Sequence, residues 1–381
     1  MQKKLMAVAV AGVLGAPVVA LAQTSTVQIY GTLYVEYSRI DQGGPRQDVD
    51  ILQTPGSNIG FKGEEKLGGG LSAWFQCEST ADVRGQDQDG WCSRNSALGL
   101  KGGFGNVFIG NWDTPFKRTI SPTNVGGNDT GIWGTASLLT AGSTTLNGNA
   151  SRANFKRRQN NTINYDSPNF AGFQVMLATI SLNHVTAVTG GTNSKPRLWS
   201  IGAQYSAGPL YVSGGYEQHN EFGGPGGARE GDDKGWHVGA AYTWGPVRFG
   251  GQFTQQKFEN IATAAGGESK VKAWHVGVDW NIAGPHGLRA AYTQADDVKG
   301  TTGAPAVAGS QAQVRPSPGG NTGAKMYQIR YVYNFSKRTE FTFGYVKLDN
   351  DSAAAYNIFG VAGATAGSSP DAWGMGLRHS F

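Results

Sequence analysis

Between Trp112 and Arg158 the basic residues Lys117, Arg118, Arg152, Lys156, Arg157 and Arg158 stand against Asp113 and Asp129, a formal charge of +4. A fixed excess of one sign between low-dielectric walls gathers ions of the opposite sign and repels its own. The chemistry these residues offer is therefore electrostatic selection of anions, with no bond made or broken. Bond-making sets are missing from the pattern. His184, His219, His237, His275, His286 and His379 fall into neither H-x-x-x-H nor H-E-x-x-H spacing, and no G-x-S-x-G nucleophile turn occurs. Asp87-Gln88-Asp89-Gly90 could touch a calcium ion but lacks the rest of an EF-hand loop, so it reads as solvated loop carboxylates. No enzyme, metal site or cofactor is expected.

The elements that carry these charges follow from composition and periodicity. Of 381 residues 58 are glycine and only 15% are charged, while Trp, Tyr and Phe number 10, 14 and 17. Glycine without a three-residue period excludes collagen, and the aromatic content excludes disorder. Glycine also disfavours helices. The recurring signal is alternation with period two. Tyr327, Ile329, Tyr331, Tyr333 and Phe335 oppose Gln328, Arg330 and Asn334; Trp274, Val276, Val278, Trp280 and Ile282 oppose His275, Gly277, Asp279 and Asn281. Val247, Phe249 and Phe253 likewise oppose Arg248, Gln252 and Thr254. The apolar faces are rich in Tyr and Trp near strand ends, as at a bilayer interface. The opposite faces carry charges and amides that a dry core would have to pair but a water-filled interior hydrates.

The first 22 residues have the form of an export signal, with Lys3 and Lys4, an apolar run from Leu5 to Val19 and the small-residue site Ala20-Leu21-Ala22. Their removal leaves residues 23–381 as one barrel domain with net charge +3, too small to suggest nucleic-acid binding. No other run approaches the length of a spanning helix, so membrane residence must be through strands. Cys77 and Cys92 are compatible with one disulfide in an oxidising compartment or with two separate thiols.

Tight connections fall at 65–70, 101–105, 166–172, 206–209, 244–246, 283–287 and 336–339, alternating with longer ones near 41–56, 79–93, 112–160, 182–196, 219–234, 257–270, 294–323 and 349–371. Fifteen connections join sixteen strands. An even count with short turns at one rim and long loops at the other predicts an all-β, transmembrane antiparallel β-barrel with both termini at the periplasmic, short-turn rim. Backbone groups in hydrocarbon must all be paired, so the first strand, near Val27 to Ile40, should zip to the last, near Trp373 to Phe381. Sixteen strands leave an aqueous channel.

The chain resembles the general diffusion porins of Gram-negative bacteria, in the branch of trimeric sixteen-stranded porins of beta-proteobacteria. The resemblance rests on V-Q-I-Y-G-T-L at the mature start, I-G-F-K-G-E-E-K-L-G-G-G-L at 59–71, L-K-G-G-F-G-N-V at 100–107 and N-Y-D-S-P-N-F-A-G-F at 164–173. Y-S-A-G-P-L-Y-V at 205–212, F-S-K-R-T at 335–339 and the closing M-G-L-R-H-S-F complete it. It implies a passive outer-membrane channel for small hydrophilic solutes and ions, a homotrimer set in lipid and lipopolysaccharide, with the third long loop folded into the lumen as a constriction. Phe381 resembles the terminal signal read by the outer-membrane assembly machinery. Arg158 matches a basic family position, whereas Asn58, Asn111 and Asn164 stand where relatives carry arginine, so the basic ladder is thinned.

Lys62, on the inferred inner side of its strand, together with Glu36 and Arg94, completes the pore candidates. Strict alternation puts Arg94 on the side of Leu98 and Leu100, so a lumenal Arg94 needs a bulge or a loop position. Weak anion preference is the leading expectation. Trp112, Phe116 and Trp133 in the long loop suggest an alternative preference for small aromatic or carboxylated nutrients. A surface adhesin with a plugged lumen is the other reading.

Overall fold

The computed structural model describes residues 26–44, 47–86, 90–140, 154–180, 197–220, 232–261, 267–301, 307–308, 314–358 and 364–381. The leader 1–22 lies outside them. The period-two segments form sixteen staves: β1 (Thr26–Asp41), β2 (Asn58–Gly68), β3 (Leu71–Thr80), β4 (Ser96–Gly102), β5 (Gly105–Asp113), β6 (Arg158–Asp166), β7 (Phe173–Ile180) and β8 (Arg197–Ala207). They continue as β9 (Leu210–Asn220), β10 (Asp232–Trp244), β11 (Val247–Ile261), β12 (Gly267–Ala283), β13 (His286–Ala295), β14 (Ala324–Asn334), β15 (Thr339–Asn350) and β16 (Asp371–Ser380). Each pairs antiparallel with the next.

The sheet closes on itself. β16 pairs with β1 from Thr32 opposite Ser380 to Asp41 opposite Asp371, and Gly31 and Phe381 exchange backbone bonds of 3.2 and 3.0 Å. Gly31 makes the seam possible. A Cβ there would lie 2.6 Å from both the Asn58 carbonyl oxygen and the Phe381 ring, closer than any side chain tolerates.

Alternation sets the faces. Ile29, Leu98, Val238, Ile329 and Trp373 are exposed, while His237, His275, Gln328 and Arg330 from the opposite parity are buried. In hydrocarbon the first set meets lipid and the closed ladder satisfies the backbone. The inner face is not uniformly polar. Val271, Ala273, Met326, Val346 and Leu348 share it near the long-loop rim, and they pack with Ile132, Trp133, Leu138 and Leu139. Burying the long loop there requires an apolar seat.

Seven short turns alternate with eight long connections at the places expected. Among the described residues of the longest connection are α1 (Pro115–Ile120), a single 3-10 turn (Ser121–Thr123) and α2 (Ala136–Thr140). The short strand Val49–Gln53 extends the sheet beside β1.

Cys77, on β3, is joined to Cys92 by a disulfide, with Cα atoms 4.8 Å apart and a sequence separation of 15. Closing a loop of this length removes unfolded-state freedom equivalent to about 3 kcal/mol. Replacing both cysteines by serine should therefore lower the urea midpoint of unfolding in detergent micelles. An unchanged midpoint would show that the β3–β4 ladder fixes this corner alone.

Candidate functional site

Local sequence shapes the long loop. Thr114 caps α1, its hydroxyl accepting from Lys117 N at 3.4 Å, and Pro115 occupies the first turn, where its missing N–H costs nothing. From there the chain crosses the polar face of the barrel, bonding strand after strand. Ser213 of β9 donates to Thr119 O at 2.7 Å, and His237 of β10 lies 2.9 Å from the Thr119 hydroxyl. Thr123 donates to Gln252 of β11 at 2.9 Å, and His275 of β12 donates to Val125 O at 2.8 Å. Further on, Gly126 N donates to Asp279 at 3.0 Å, Arg330 of β14 to Asn128 Oδ1 at 3.0 Å, and Ile132 N to Glu36 of β1 at 2.9 Å. Thr254 and Gln256 both donate to Leu139 O, at 2.8 and 2.6 Å. Each such bond is worth a net of about 0.5–1.5 kcal/mol, and together they fix the path. Gly277 permits the closest approach, since a Cβ there would sit 1.8 Å from Val125 O.

Four of the loop's basic residues, Lys117, Arg118, Lys156 and Arg158, lie against carboxylates. They are spent on ion pairs. Lys117 lies 2.9 Å and Arg158 3.2 Å from Asp113 Oδ1, and Arg158 Nε also donates to Asn95 at 2.7 Å. Arg118 makes a two-pronged pair with Asp166, both bonds 2.7 Å. Lys156 pairs with Asp129. Lys156, Arg157 and Arg158 are all buried, which demands such partners. Burial pushes the Lys117 ammonium below its usual pKa, against the pull of Asp113. It pushes Arg157 down to about 10, opposed by Glu217, so the guanidinium stays charged at neutral pH. Burial would raise the Asp129 carboxyl, but Lys156 beside it wins and holds it low. Through these pairs Lys117, Arg118, Lys156 and Arg158 fasten the loop. Arg152 lies outside the described residues.

Glu36 is fully buried and accepts from Tyr34 OH and Gln53 Nε2, each at 2.7 Å, besides Ile132 N. Its role is to anchor the loop. Arg94 precedes β4 in a loop position, so alternation does not apply to it, and its Nε bonds Glu78 at 2.7 Å. Lys62 faces inward with its ammonium 4.8 Å from the centre of the Tyr30 ring, a cation–π contact. Tyr30 in turn donates to Glu78 at 3.1 Å. Of the loop aromatics, Phe116 and Trp133 are 0% exposed. Phe116 packs with Ile120, Phe155 and Phe258, and Trp133 lies under Arg330. Neither of these two presents a ring to a passing solute, because apolar rings gain more by sealing the loop to its seat; Trp112 is half-buried, edge-on to Trp74 and Phe108.

The structure gathers a basic set that sequence reasoning passed over. Arg289, Arg330 and Arg378 border a polar cavity of about 190 Å³ between the loop at Asn128 to Thr130 and the walls formed by β1 and β13 to β16. Glu340 lies among them, 3.5 Å from Arg289 and 3.8 Å from Arg378. Arg248, on the inner face of β11 and outside that cavity's lining, donates to Pro122 O at 2.9 Å. The available signal was the parity of the arginines on β11, β13, β14 and β16: each sits on the polar side of its strand, so adding charge across neighbouring strands would have found the patch. No group of three or more His, Cys, Asp or Glu suited to a metal occurs among the described residues.

A sixteen-stranded closed barrel with an apolar exterior and a loop bonded across its polar face defines a membrane pore architecture. The family model for Gram-negative porins matches residues 7–353. The chain belongs to that family, and its closed barrel is of the outer-membrane, multi-pass kind. The major outer membrane protein P.IB of Neisseria meningitidis serogroup A is 32% identical over 230 residues, 58% of this chain and 61% of that protein. Its counterpart in Neisseria lactamica is 30% identical over 234 residues, 58% and 60% of the two chains. The match thus spans about three-fifths of these relatives' length. Among solved structures, an anion-selective porin from Comamonas acidovorans has a TM-score of 0.74 at 23% identity, covering 94% of this chain and 100% of that one. OmpT of Vibrio cholerae in its trimer form has a TM-score of 0.63 at 16% identity, with coverage of 94% and 100%. Both share this fold.

Proposed function

We propose that the protein is a passive, weakly anion-preferring outer-membrane channel for small hydrophilic solutes and ions, working without catalysis or cofactor. The observation that carries this is the arginine-bordered polar cavity left between the bonded loop and the barrel wall. The loop from 114 to 140 lies within the bore and narrows it, as its hydrogen bonds to inward-facing side chains of β1, β9 to β12 and β14 support. Solutes move down their gradients past a wall in which arginine outnumbers acid. Such a field enriches anions without excluding cations.

The chain assembles as a homotrimer in lipid and lipopolysaccharide, with both termini periplasmic, after removal of residues 1–22 and recognition of its Phe381 end by the assembly machinery. The family membership and the short-turn rim support this reading.

Planar-bilayer recordings of the purified protein in a KCl gradient test it. Chloride should be preferred over potassium by roughly two- to fivefold, the scale expected of a modest wall charge in a wide wet pore. A reversal potential of the cation-selective sign would overturn it.

A further inference from the structure

Three guanidinium groups meet around the polar cavity; Glu340 and Asp129 line it as well, and Asp279 stands 3.9 Å from Arg289. Arg330 is 97% buried and held in place, its Nη2 donating to Gly127 O at 3.2 Å and Asn128 Oδ1 at 3.0 Å, while its Nε has no hydrogen-bond partner among the described residues. Arg289 and Arg378 approach Glu340 only at 3.5 and 3.8 Å, long for charge-assisted bonds, which settle below about 3 Å. Their forks are under-used. Thr32 and Asn58 add polar side chains to the same cavity.

The geometry points to a carboxylate-binding subsite at Arg289, Arg330 and Arg378, in which a small aliphatic carboxylic acid anion pauses during transit. The inference rests on the reading of the chain as an anion-preferring channel and says where and for what that preference is exerted. A guanidinium fork matches a carboxylate plane in a way that no spherical ion does, so the subsite separates organic anions from chloride of equal charge. The cavity of about 190 Å³ holds a short-chain acid. Thr32 and Asn58 suit hydroxyl substituents on the solute. Glu340 on the wall and Asp129 on the loop both repel a second carboxylate, so the subsite takes one carboxylate end of a solute and leaves the other toward the open bore.

Single-channel recording with succinate as probe tests this, with the neutral diamide succinamide as comparison. Succinate should reduce the chloride current in a saturable way and succinamide should not. Arg289→Gln with Arg378→Gln, which leaves the loop-holding Arg330 intact, should raise the half-blocking concentration by about tenfold. Lys101→Gln, which removes a charge near the turn after β4, should leave it unchanged. Two results would overturn the subsite: succinate without saturable effect on a wild-type channel that still prefers chloride, or block by succinate that survives the double substitution. A wild-type channel selective for cations would instead defeat the underlying channel reading. Unheated gel mobility reports whether each variant has folded.

Discussion

Gly31→Val is expected to abolish most barrel assembly, with the folded, fast-migrating form on unheated gels falling to a minor fraction. The new Cβ would fall 2.6 Å from the Asn58 carbonyl oxygen and from the Phe381 ring at once. The ring could rotate away, but the carbonyl belongs to the β1–β2 ladder and cannot shift without breaking it. Overpacking costs of roughly 1–3 kcal/mol are usual in cores. Here the strain falls on the seam, where a lost register leaves a row of backbone groups unpaired in hydrocarbon. Leu33→Val, on the same outer face, should fold normally. Full assembly of Gly31→Val would show that the Phe381 ring does not need this seat.

Gly277→Leu should leave assembly intact and widen the pore. A side chain at this position runs into Val125 O, 1.8 Å from the ideal Cβ. It forces the loop off β12 and breaks the His275 to Val125 bond of 2.8 Å. Strand pairing does not depend on the loop, so gel mobility and heat stability of the barrel should change little. Conductance should rise by roughly twofold, because current through a wet pore follows its narrowest section. Anion preference should weaken as Asn128 draws back from Arg330. Unchanged conductance in a folded variant would mean that the loop does not set the narrowest section.

Strand number, turn positions and seam were all legible in the sequence, because each is a local matter of period-two alternation and turn residues. The strand containing Tyr327 to Asn334 shows its two faces within eight residues. The loop's chemistry was legible only in part. Lys117, Arg118 and Arg158 could be counted, but Asp166, the partner of Arg118, lies 48 positions away, and no local rule connects them. Alternation gives no reason for apolar residues on the inner side. Met326 and Leu348 point inward to seat the loop, a need created by tertiary packing alone. The arginines at 289, 330 and 378 were visible one strand at a time, and only the closed ring makes them neighbours.

The loop's attachments to β1 and to β9 lie half a circumference apart in a ring of sixteen. Bonds made in turn to β9, β10, β11, β12, β14 and β1 tie staves that are distant in sequence into one unit, so a stave that shifts must first break its own tie.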